Sequence, residues 1–390
     1  MPVRKCFQHN SGGRILFLSM GVPPLVTGQT TVVTNLATQF SRDEMIVAGE
    51  KPHDGPPFQW QENWPEITYL IKSWPPTRRG KRWRRRLSFP FLLFRCLRLA
   101  RRYRCKYIVT VFPNEEFLLA GYLTALWTGA KFFPYFHNTY IENHKGLSLL
   151  FGRWLQARVF SAATHLFVMS EGMAEFYREH YPSLRCSPLV HSFSGRIPDF
   201  SPPSEPTSPV QFIISGHIWD VCLDATTRIC EAISQLNDAS LTFLSGMPRV
   251  FLEEMGLLRD GFKHETVAHG QVVARLSESD IVVLPHGFHG SLSPEEYQTI
   301  FPTRTIEYLL CGRPILAHTP ADCYLTRFLK EHGCALVVDK PSVPALLEAI
   351  RRLQTDAKLR SDLVRSALQT AKMFHAPRVA ATLRAELQKS

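Results

Sequence analysis

Short apolar runs alternate with helical patterns along most of the chain. In the first half, runs typical of buried strands lie at Arg14–Met20, Met45–Ala48, Ile67–Ile71, Tyr107–Val111, Lys131–Phe136 and Thr164–Met169. Apolar positions at helical spacing lie at Val33–Phe40, Leu87–Tyr103, Glu115–Trp127, Gly152–Ser161 and Met173–Tyr181. Strands that alternate with helices in this way predict a parallel sheet with helices on both faces.

A proline-rich segment interrupts this pattern at residues 196–209. Its sequence, RIPDFSPPSEPTSP, holds five prolines and three serines, which favour neither a helix nor a central strand. The alternation then restarts, with a helix predicted at Ala225–Leu236 and strands at Val210–Ile214, Leu241–Leu244, Thr266–Ala268, Ile281–Leu284, Ile315–Ala317 and Ala335–Val338. Because 390 residues are enough for two domains, we expect two doubly wound α/β domains, at residues 1–195 and 210–372, joined by a linker.

Three helices are predicted after the last strand, at Val343–Leu353, Ala357–Phe374 and Pro377–Gln388. Their alternating charges are typical of solvated faces over a packed stripe and indicate no chemistry. We expect the terminal segment, residues 373–390, to pack back on the N-terminal domain.

The segment FPTRTIEYLLCGRPIL, at Phe301–Leu316, carries the clearest candidate site. It predicts a short helix that ends at Gly312, because glycine accepts a positive φ. The start of this helix has free backbone N–H groups, which favour an anion such as a phosphate. The residues predicted there are Thr303, Arg304 and Thr305. Glu307 lies one turn further on the face of Arg304, so a phosphate seat beside a carboxylate for sugar hydroxyls suggests a nucleotide-sugar site.

Further candidate residues follow three other predicted strands. Thr27 and Gly28 come after the first strand, His137 after Lys131–Phe136, and Gly216 with His217 after Val210–Ile214. The carboxyl ends of parallel strands are where open α/β sheets bind ligands. The first turn lacks a G-x-G-x-x-G sequence, so a simple tight connection is an equal alternative there.

A strongly basic segment lies between Lys72 and Lys106, with fourteen Lys and Arg residues and no Asp or Glu. It accounts for the net charge of +11, since the rest of the chain has 31 basic and 34 acidic residues. Cations interleaved with Trp and Phe suit an anionic membrane surface, where each adds about 1 kcal/mol. A solvated helix face is the alternative, and no nucleic-acid motif accompanies the segment. The cations predicted to bind the membrane or another anion are Arg78, Arg79, Arg82, Arg84, Arg85, Arg86, Arg95 and Arg98.

Cysteine usage bears on the compartment. The chain has nine cysteines, an odd number with no C-x-x-C pair, which favours a reducing environment over a disulfide framework. We therefore expect a cytoplasmic protein, with peripheral contact at the inner face of the membrane.

Six segments, in order, resemble retaining glycosyltransferases of the GT-B fold, in the large polysaccharide and glycolipid family known as group 1 or family 4-like. FPTRTIEYLLCGRPIL looks like the donor-site motif of that family. The others are ILFLSMGVPPLVTGQTTVVTNLA, FFPYFHNT, HLFVMSEGMAEFYREHYP, FIISGHIW and SESDIVVLPH. The resemblance covers nearly the whole chain and implies two Rossmann-like domains that face each other across a cleft, with the nucleotide sugar held by the C-terminal one.

The resemblance also implies roles for individual residues. Glu307 would hold the ribose of the nucleotide, and Arg304 would bind the diphosphate. His137 would contact the transferred sugar near the reacting carbon. The remaining donor-binding residues would be Thr27, Gly28, Gly216, His217, Thr303 and Thr305. The family normally needs no metal, and the chain contains no Asp-x-Asp. No cofactor is expected beyond a UDP- or GDP-sugar as co-substrate.

Two positions depart from the family pattern. Many members carry a glutamate eight positions before the ribose glutamate, where this chain has Thr299; Glu295 and Glu296 lie close by and are candidates for the extra acid. Members also often carry Arg and Lys after the equivalent of Gly216, whereas this chain has neither before Arg228. We expect Arg304 to bind the phosphates with help from His217.

The sequence thus predicts a metal-independent retaining glycosyltransferase that moves a sugar from a nucleotide-diphosphate sugar to a hydroxyl acceptor. Its expected role is polysaccharide or glycoconjugate synthesis at the cytoplasmic membrane face, with a lipid-linked or saccharide acceptor and no nucleic-acid partner. Two alternatives are a non-catalytic GT-B-like protein recruited to an anionic membrane or polymer, and an epimerase or phosphorylase on the same scaffold.

Overall fold

The computed structural model describes residues 13–25, 27–52, 61–62, 64–72 and 86–389. The described strands are β1 Arg14–Leu18, β2 Met45–Lys51, β3 Glu66–Lys72, β4 Cys105–Phe112, β5 Lys131–Phe136, β6 Leu166–Val168, β7 Cys186–Pro188, β8 Val210–Ser215, β9 Ala239–Leu244, β10 Lys263–Glu265, β11 Ile281–Pro285, β12 Ile315–His318 and β13 Leu336–Val338.

The described helices are α1 Gly28–Ala37, α2 Phe89–Arg102, α3 Glu115–Thr128, α4 Gly146–Ala162, α5 Glu171–His180, α6 Asp220–Ser234, α7 Arg249–Glu254, α8 Val272–Ser277, α9 Pro294–Thr299, α10 Arg304–Leu310, α11 Tyr324–Glu331, α12 Val343–Thr355, α13 Ala357–Ala371 and α14 Ala376–Gln388.

The strands form two sheets. The first has seven strands in the order β3-β2-β1-β4-β5-β6-β7, and the second has six in the order β10-β9-β8-β11-β12-β13. Strands β1 and β2 are parallel, as are β8 and β11 in the second sheet. In each sheet the strand order reverses next to the first strand, as in doubly wound folds. The predicted fold class, two parallel-sheet α/β domains, is confirmed.

Both faces of the second sheet are buried. Successive residues of a strand point to opposite faces, so Ile213 belongs to one apolar cluster and its neighbours Phe212 and Ile214 to the other. The same division separates Val282 from Val283 in β11. Such strands read as continuous apolar runs, which is why the sequence revealed them.

The chain divides into two compact units. Unit 1 contains the residues up to His137, Trp154–Phe167 and the residues from Ala380 onwards; unit 2 contains Asn138–Arg153 and Val168–Val379. Within unit 1 the last helix, α14, is fixed by Arg384, which donates to Gln39 O at 2.7 Å and to Glu44 Oε1 at 3.1 Å. The domain boundaries expected from the sequence stay a prediction.

One predicted strand is wrong. The sequence favoured Thr266–Ala268, whereas the structure has β10 at Lys263–Glu265. In β10 the ladder with β9 pairs Lys263 with Thr242 and Glu265 with Leu244. β10 is an edge strand with a polar sequence, whereas the prediction relied on apolar residues. The predicted strand therefore lies three residues too far along the chain.

Candidate functional site

Helix α10 has the shape that its sequence predicts. It runs from Arg304 to Leu310, and Gly312 follows its C-cap with φ +69°. That conformation suits glycine, so the predicted end of the helix is confirmed. Thr303 precedes the helix without forming a side-chain cap hydrogen bond. Thr305 is fully buried.

Helix α10 holds the loop that follows β8. The hydroxyl of Tyr308 accepts a hydrogen bond from the N–H of Ser215 at 2.7 Å. One turn earlier on the same face, Arg304 Nη2 donates to the carbonyl of His217 at 2.5 Å. Gly216, between these two anchors, has φ +83°, and a Cβ there would lie 3.6 Å from Arg304 Cζ. One helix face therefore fixes the residues on either side of Gly216, and the positive φ of Gly216 is a conformation that glycine adopts without strain.

The guanidinium of Arg304 has one nitrogen that donates no hydrogen bond within the protein as described. Its Nη1 is buried and has no hydrogen-bond partner within the described part of the chain. A buried guanidinium N–H without an acceptor is costly, and the planar group matches the geometry of phosphate oxygens. Burial and the charge of Arg304 both lower the pKa of the neighbouring His217, which keeps that ring neutral. The ring of His217 stacks on Trp219 at 5.4 Å.

Glu307 lies beside a histidine that the sequence did not single out. Its Oε1 is 3.8 Å from His269 Nδ1, and its side chain is 26% exposed. Burial raises the pKa of Glu307 to about 7, although the charge of Arg304 acts in the opposite direction. Burial also lowers the pKa of His269. The pair can therefore present a carboxylate and a neutral imidazole to a ligand. In the sequence, His269 is marked only by its position directly after Thr266–Ala268, the segment that was wrongly predicted to be a strand.

Of the two candidate extra acids, Glu296 is fully engaged within its own unit. Its Oε1 accepts from Asn138 Nδ2 at 2.7 Å, and Oε2 accepts from the N–H and the hydroxyl of Thr139 at 2.9 and 2.5 Å. Asn143 Nδ2 is a further donor at 3.3 Å. Glu296 is 1% exposed, so this carboxylate fixes the segment after His137. Thr299 is also buried, and its hydroxyl donates to Glu295 O.

The segment between Gly216 and Arg228, which forms the start of α6, contains no Lys or Arg of its own. Asp220 accepts hydrogen bonds from the N–H and hydroxyl of Ser291. Asp224 accepts from Arg228 Nη2 at 2.6 Å, and Arg228 Nε lies 3.0 Å from His318 Nε2. Arg228 is thus committed to these two side chains. Arg304 lies at the β8 loop through its hydrogen bond to the carbonyl of His217, and its binding of phosphate stays a prediction.

The candidate residues in unit 1 lie at the carboxyl ends of β1 and β5. Thr27 caps α1, accepting from the N–H of Thr30, and Gly28 is the first residue of that helix. The N–H of His137 donates to Phe112 O at 3.3 Å, and its ring packs 4.4 Å from the ring of Tyr135. Burial lowers the pKa of His137 to about 3, so the imidazole is neutral near pH 7. Its contact with a sugar stays a prediction.

The basic segment is described in part. Arg78, Arg79, Arg82, Arg84 and Arg85 lie outside the described residues, whereas Arg86, Arg95 and Arg98 are exposed. Arg95 Nη1 donates to the carbonyls of Tyr69 and Leu70 at 3.1 and 3.0 Å, so its charge is partly committed within the protein. Within the ranges that the structure describes, no helix is both long and apolar enough to cross a membrane. The same residues contain no group of His, Cys, Asp and Glu side chains placed to hold a metal ion.

Solved structures of other proteins are similar in fold to nearly the whole of this chain. Residues 27–185 match the family of the glycosyl transferase 4-like domain, which is less than half of the chain. Sucrose-phosphate synthase from Thermosynechococcus elongatus is similar at TM-score 0.71 and 14% identity, over 97% of this chain and 98% of that one. No curated protein sequence matches with significance.

Anabaena HepE, solved in complex with UDP-glucose, is similar at TM-score 0.67 and 13% identity, over 97% of this chain and 100% of that one. The fold is GT-B. A third GT-B neighbour is the lipopolysaccharide outer core galactosyltransferase WaaB, at TM-score 0.62 and 12% identity, over 96% of this chain and 99% of that one. The resemblance to group 1 or family 4-like GT-B proteins that the sequence motifs indicate is confirmed.

Proposed function

We propose that this GT-B chain is a glycosyltransferase that uses a nucleotide-diphosphate sugar as donor. The observation that carries the proposal is the arrangement of Gly216, Arg304 and Glu307 in unit 2. A glycine loop held open by a helix, a guanidinium with an unpartnered N–H and a half-buried carboxylate supply what a nucleoside diphosphate needs. The family match over residues 27–185 and the neighbour solved with UDP-glucose support the same donor class.

Each of these groups has a role in donor binding. Arg304 binds the diphosphate, which accepts the free N–H of its guanidinium. Glu307 accepts the ribose hydroxyls, with the ring of His269 3.8 Å from its carboxylate. Thr303, which is exposed at the start of α10, contributes its hydroxyl, and His217 continues the loop after Gly216. Thr305, which the sequence predicted beside them, is fully buried and supports the helix from within. We favour a UDP-sugar or a GDP-sugar as the donor.

The reaction proposed is transfer with retention of anomeric configuration and without a metal. The bond between the sugar C1 and the diphosphate oxygen breaks, and its electron pair leaves with the diphosphate, whose charge Arg304 stabilises. The acceptor hydroxyl attacks C1 from the same face, and its proton passes to the departing diphosphate. His137, neutral because of its burial, contacts the sugar through a hydrogen bond and not through charge.

The acceptor class proposed is a hydroxyl on a lipid-linked or saccharide acceptor, in polysaccharide or glycoconjugate synthesis at the cytoplasmic face of a membrane. The basic segment between Lys72 and Lys106 supports this placement because anionic lipid attracts clustered cations. WaaB, a fold neighbour, is a lipopolysaccharide galactosyltransferase, which is consistent with such an acceptor.

A second candidate is a non-catalytic GT-B protein that binds without transferring. The observation that favours it is an acid, Asp220, in the first turn of α6, where the family that the sequence resembles often has phosphate-binding cations. Weak diphosphate binding would follow from its charge.

The test is incubation with UDP- and GDP-sugars and a lipid-linked acceptor, with measurement of nucleoside diphosphate release and of the product's anomeric configuration by NMR. Release that depends on the acceptor and yields the donor's configuration supports a retaining transferase. Donor binding without acceptor-dependent release supports the second candidate.

A further inference from the structure

An exposed tryptophan follows the Gly216 loop in unit 2. Trp219 is 62% exposed, and its ring stacks on the ring of His217 at 5.4 Å, with an angle of 12° between the ring planes. The backbone of Trp219 is extended, with φ −109° and ψ 170°. Side chains two residues apart on an extended stretch point to the same side, and Ile218 between them is buried. Because His217 lies on one face of the indole, the large exposed fraction of Trp219 leaves the other face open to solvent.

The backbone below this stack is fixed at two points. Arg304 Nη2 donates to the carbonyl of His217 at 2.5 Å, and the N–H of Ile218 donates to Met247 Sδ at 3.2 Å. A rigid ring on a fixed backbone supplies contact area at a small cost in conformational entropy. The open face of Trp219 is therefore preorganised to receive a flat ligand.

A carboxylate follows the tryptophan directly in the chain. Asp220 is exposed in the first turn of α6. Its Oδ2 accepts from the N–H and the hydroxyl of Ser291 at 2.6 and 2.9 Å, and from the hydroxyl of Tyr297 at 3.2 Å. The hydrogen bonds from Ser291, and then that from Tyr297, hold the pKa of Asp220 below its usual value. Since all three bonds go to Oδ2, the Oδ1 atom of this ionised group keeps its acceptor capacity among the described residues.

We propose that Trp219, supported by His217, binds the apolar face of a hexopyranose ring and that Asp220 accepts a hydroxyl hydrogen at the edge of that ring. The C–H bonds on the flat face of a pyranose carry partial positive charge, which the negative face of an indole attracts. Binding sites for small ligands combine such an apolar surface with a few placed polar groups. An acid in the first turn of α6 accepts sugar hydroxyls, whereas it repels a phosphate.

Position along the donor favours a sugar over the nucleobase as the group that Trp219 binds. In the proposed donor site, on which this assignment rests, Glu307 accepts the ribose and Arg304 binds the diphosphate. The stack is joined to Arg304 through the carbonyl of His217. The sugar lies on the other side of the diphosphate from the ribose. A pyranose reaches this position as the donor's sugar or as part of a saccharide acceptor.

The first experiment tests the donor's sugar by titration calorimetry with UDP, UDP-glucose, GDP and GDP-mannose. If this sugar binds Trp219, Trp219→Ala should bind the nucleotide sugar about tenfold more weakly, which corresponds to about 1.4 kcal/mol. The free nucleotide should bind within about twofold of wild type. Trp219→Phe keeps an aromatic face and should retain most of the affinity. The matched control is Trp127→Ala in the last turn of α3, where a tryptophan of unit 1 is 53% exposed and no loss is expected.

The second experiment tests a saccharide acceptor by saturation-transfer NMR with methyl α-glucoside and methyl α-galactoside, with and without UDP. Transfer to the ring protons in wild type that is lost in Trp219→Ala identifies the acceptor as the source of the pyranose. Asp220→Asn should weaken sugar binding in the same experiment as Trp219→Ala, because hydrogen bonds to a charged acceptor are the stronger ones. It should not weaken the binding of UDP.

Two results would overturn the proposal. One is an equal loss of affinity for nucleotide and nucleotide sugar in Trp219→Ala, which would place the indole against the base or the diphosphate. The other is the absence of any loss in both experiments. If neither UDP nor GDP binds wild type, the proposed donor site fails instead, and the NMR experiment without nucleotide still decides whether the stack binds a sugar. Circular dichroism melting of every variant separates lost binding from a folding defect.

Discussion

The phenol oxygen of Tyr308 lies 2.7 Å from the backbone nitrogen of Ser215 and accepts its hydrogen bond in a fully buried setting. Tyr308→Phe would leave this N–H without an acceptor, at a cost of about 1–3 kcal/mol. We expect that loss in urea unfolding, together with weaker nucleotide binding, because the Gly216 loop loses one of its two anchors. Tyr122→Phe is the control, and we expect no change there. Equal unfolding free energies for Tyr308→Phe and wild type would contradict this prediction.

The carboxylate of Glu296 holds the segment Asn138–Asn143. Replacement by Gln would turn an acceptor into a donor that faces the N–H and hydroxyl of Thr139. We expect a loss of about 2–4 kcal/mol in chemical unfolding, since hydrogen bonds to a buried charged group are strong. Faster amide exchange at Thr139 should accompany it. Glu295→Gln is the matched control, and a similar loss there would show that the bonding of Glu296 is not the cause.

The raised pKa of Glu307 gives stability a defined pH dependence. Its usual pKa is 4.5 and its folded value is about 7, so between these values the folded state binds more protons than the unfolded state. Stability from this group is therefore present below pH 4.5 and falls as pH rises toward 7. We expect Glu307→Gln to flatten that part of the pH profile and to be the more stable protein at pH 8, by about 1–2 kcal/mol.

The same titration affects ligand binding in the opposite direction. Ribose hydroxyls donate to an ionised carboxylate, so nucleoside diphosphate affinity should rise as pH increases through 7 in wild type. In Glu307→Gln this dependence should be absent and affinity should be lower throughout. A pH profile that is identical in both proteins would remove Glu307 from the donor site.

The basic segment predicts salt-sensitive membrane binding. Neutralising Arg84, Arg85, Arg86 and Arg98 together should lower binding to anionic vesicles by several kcal/mol, at about 1 kcal/mol for each cation, and leave nucleotide binding intact. The control neutralises four exposed cations of unit 2, which are Arg249, Arg351, Arg352 and Lys358. Vesicle binding that neither the first set nor salt changes would remove the membrane argument.

Helix α10 and its end at Gly312 could be predicted from the local sequence. The end of a helix depends on a few neighbouring residues, here on a glycine that adopts a positive φ. The local sequence also indicated the fold, since buried parallel strands are continuous apolar runs. The roles of Glu296 and His269 could not be predicted. Each depends on residues far away in sequence, such as Thr139, 157 positions from Glu296, and nothing in local spacing reveals such a pairing.

The position of Arg228 shows the same limit. It is the first Lys or Arg after Gly216, and nothing in the local sequence shows what its side chain binds. Its partners, Asp224 and His318, come from its own helix and from the end of β12, and only the fold brings them together. Burial by that packing lowers the pKa of His318 to about 4, which keeps it an acceptor for Arg228.

The most direct measurement is titration calorimetry with UDP, GDP, ADP and TDP on wild type, Arg304→Ala and Arg327→Ala. Arg327 is an exposed cation that pairs with Glu175, and surface pairs contribute only about 0–1 kcal/mol. We predict that at least one diphosphate binds wild type and Arg327→Ala alike, and that Arg304→Ala binds it at least about tenfold more weakly. If none of the four binds, or if Arg304→Ala binds as tightly as wild type, the donor site proposed at Gly216, Arg304 and Glu307 is contradicted.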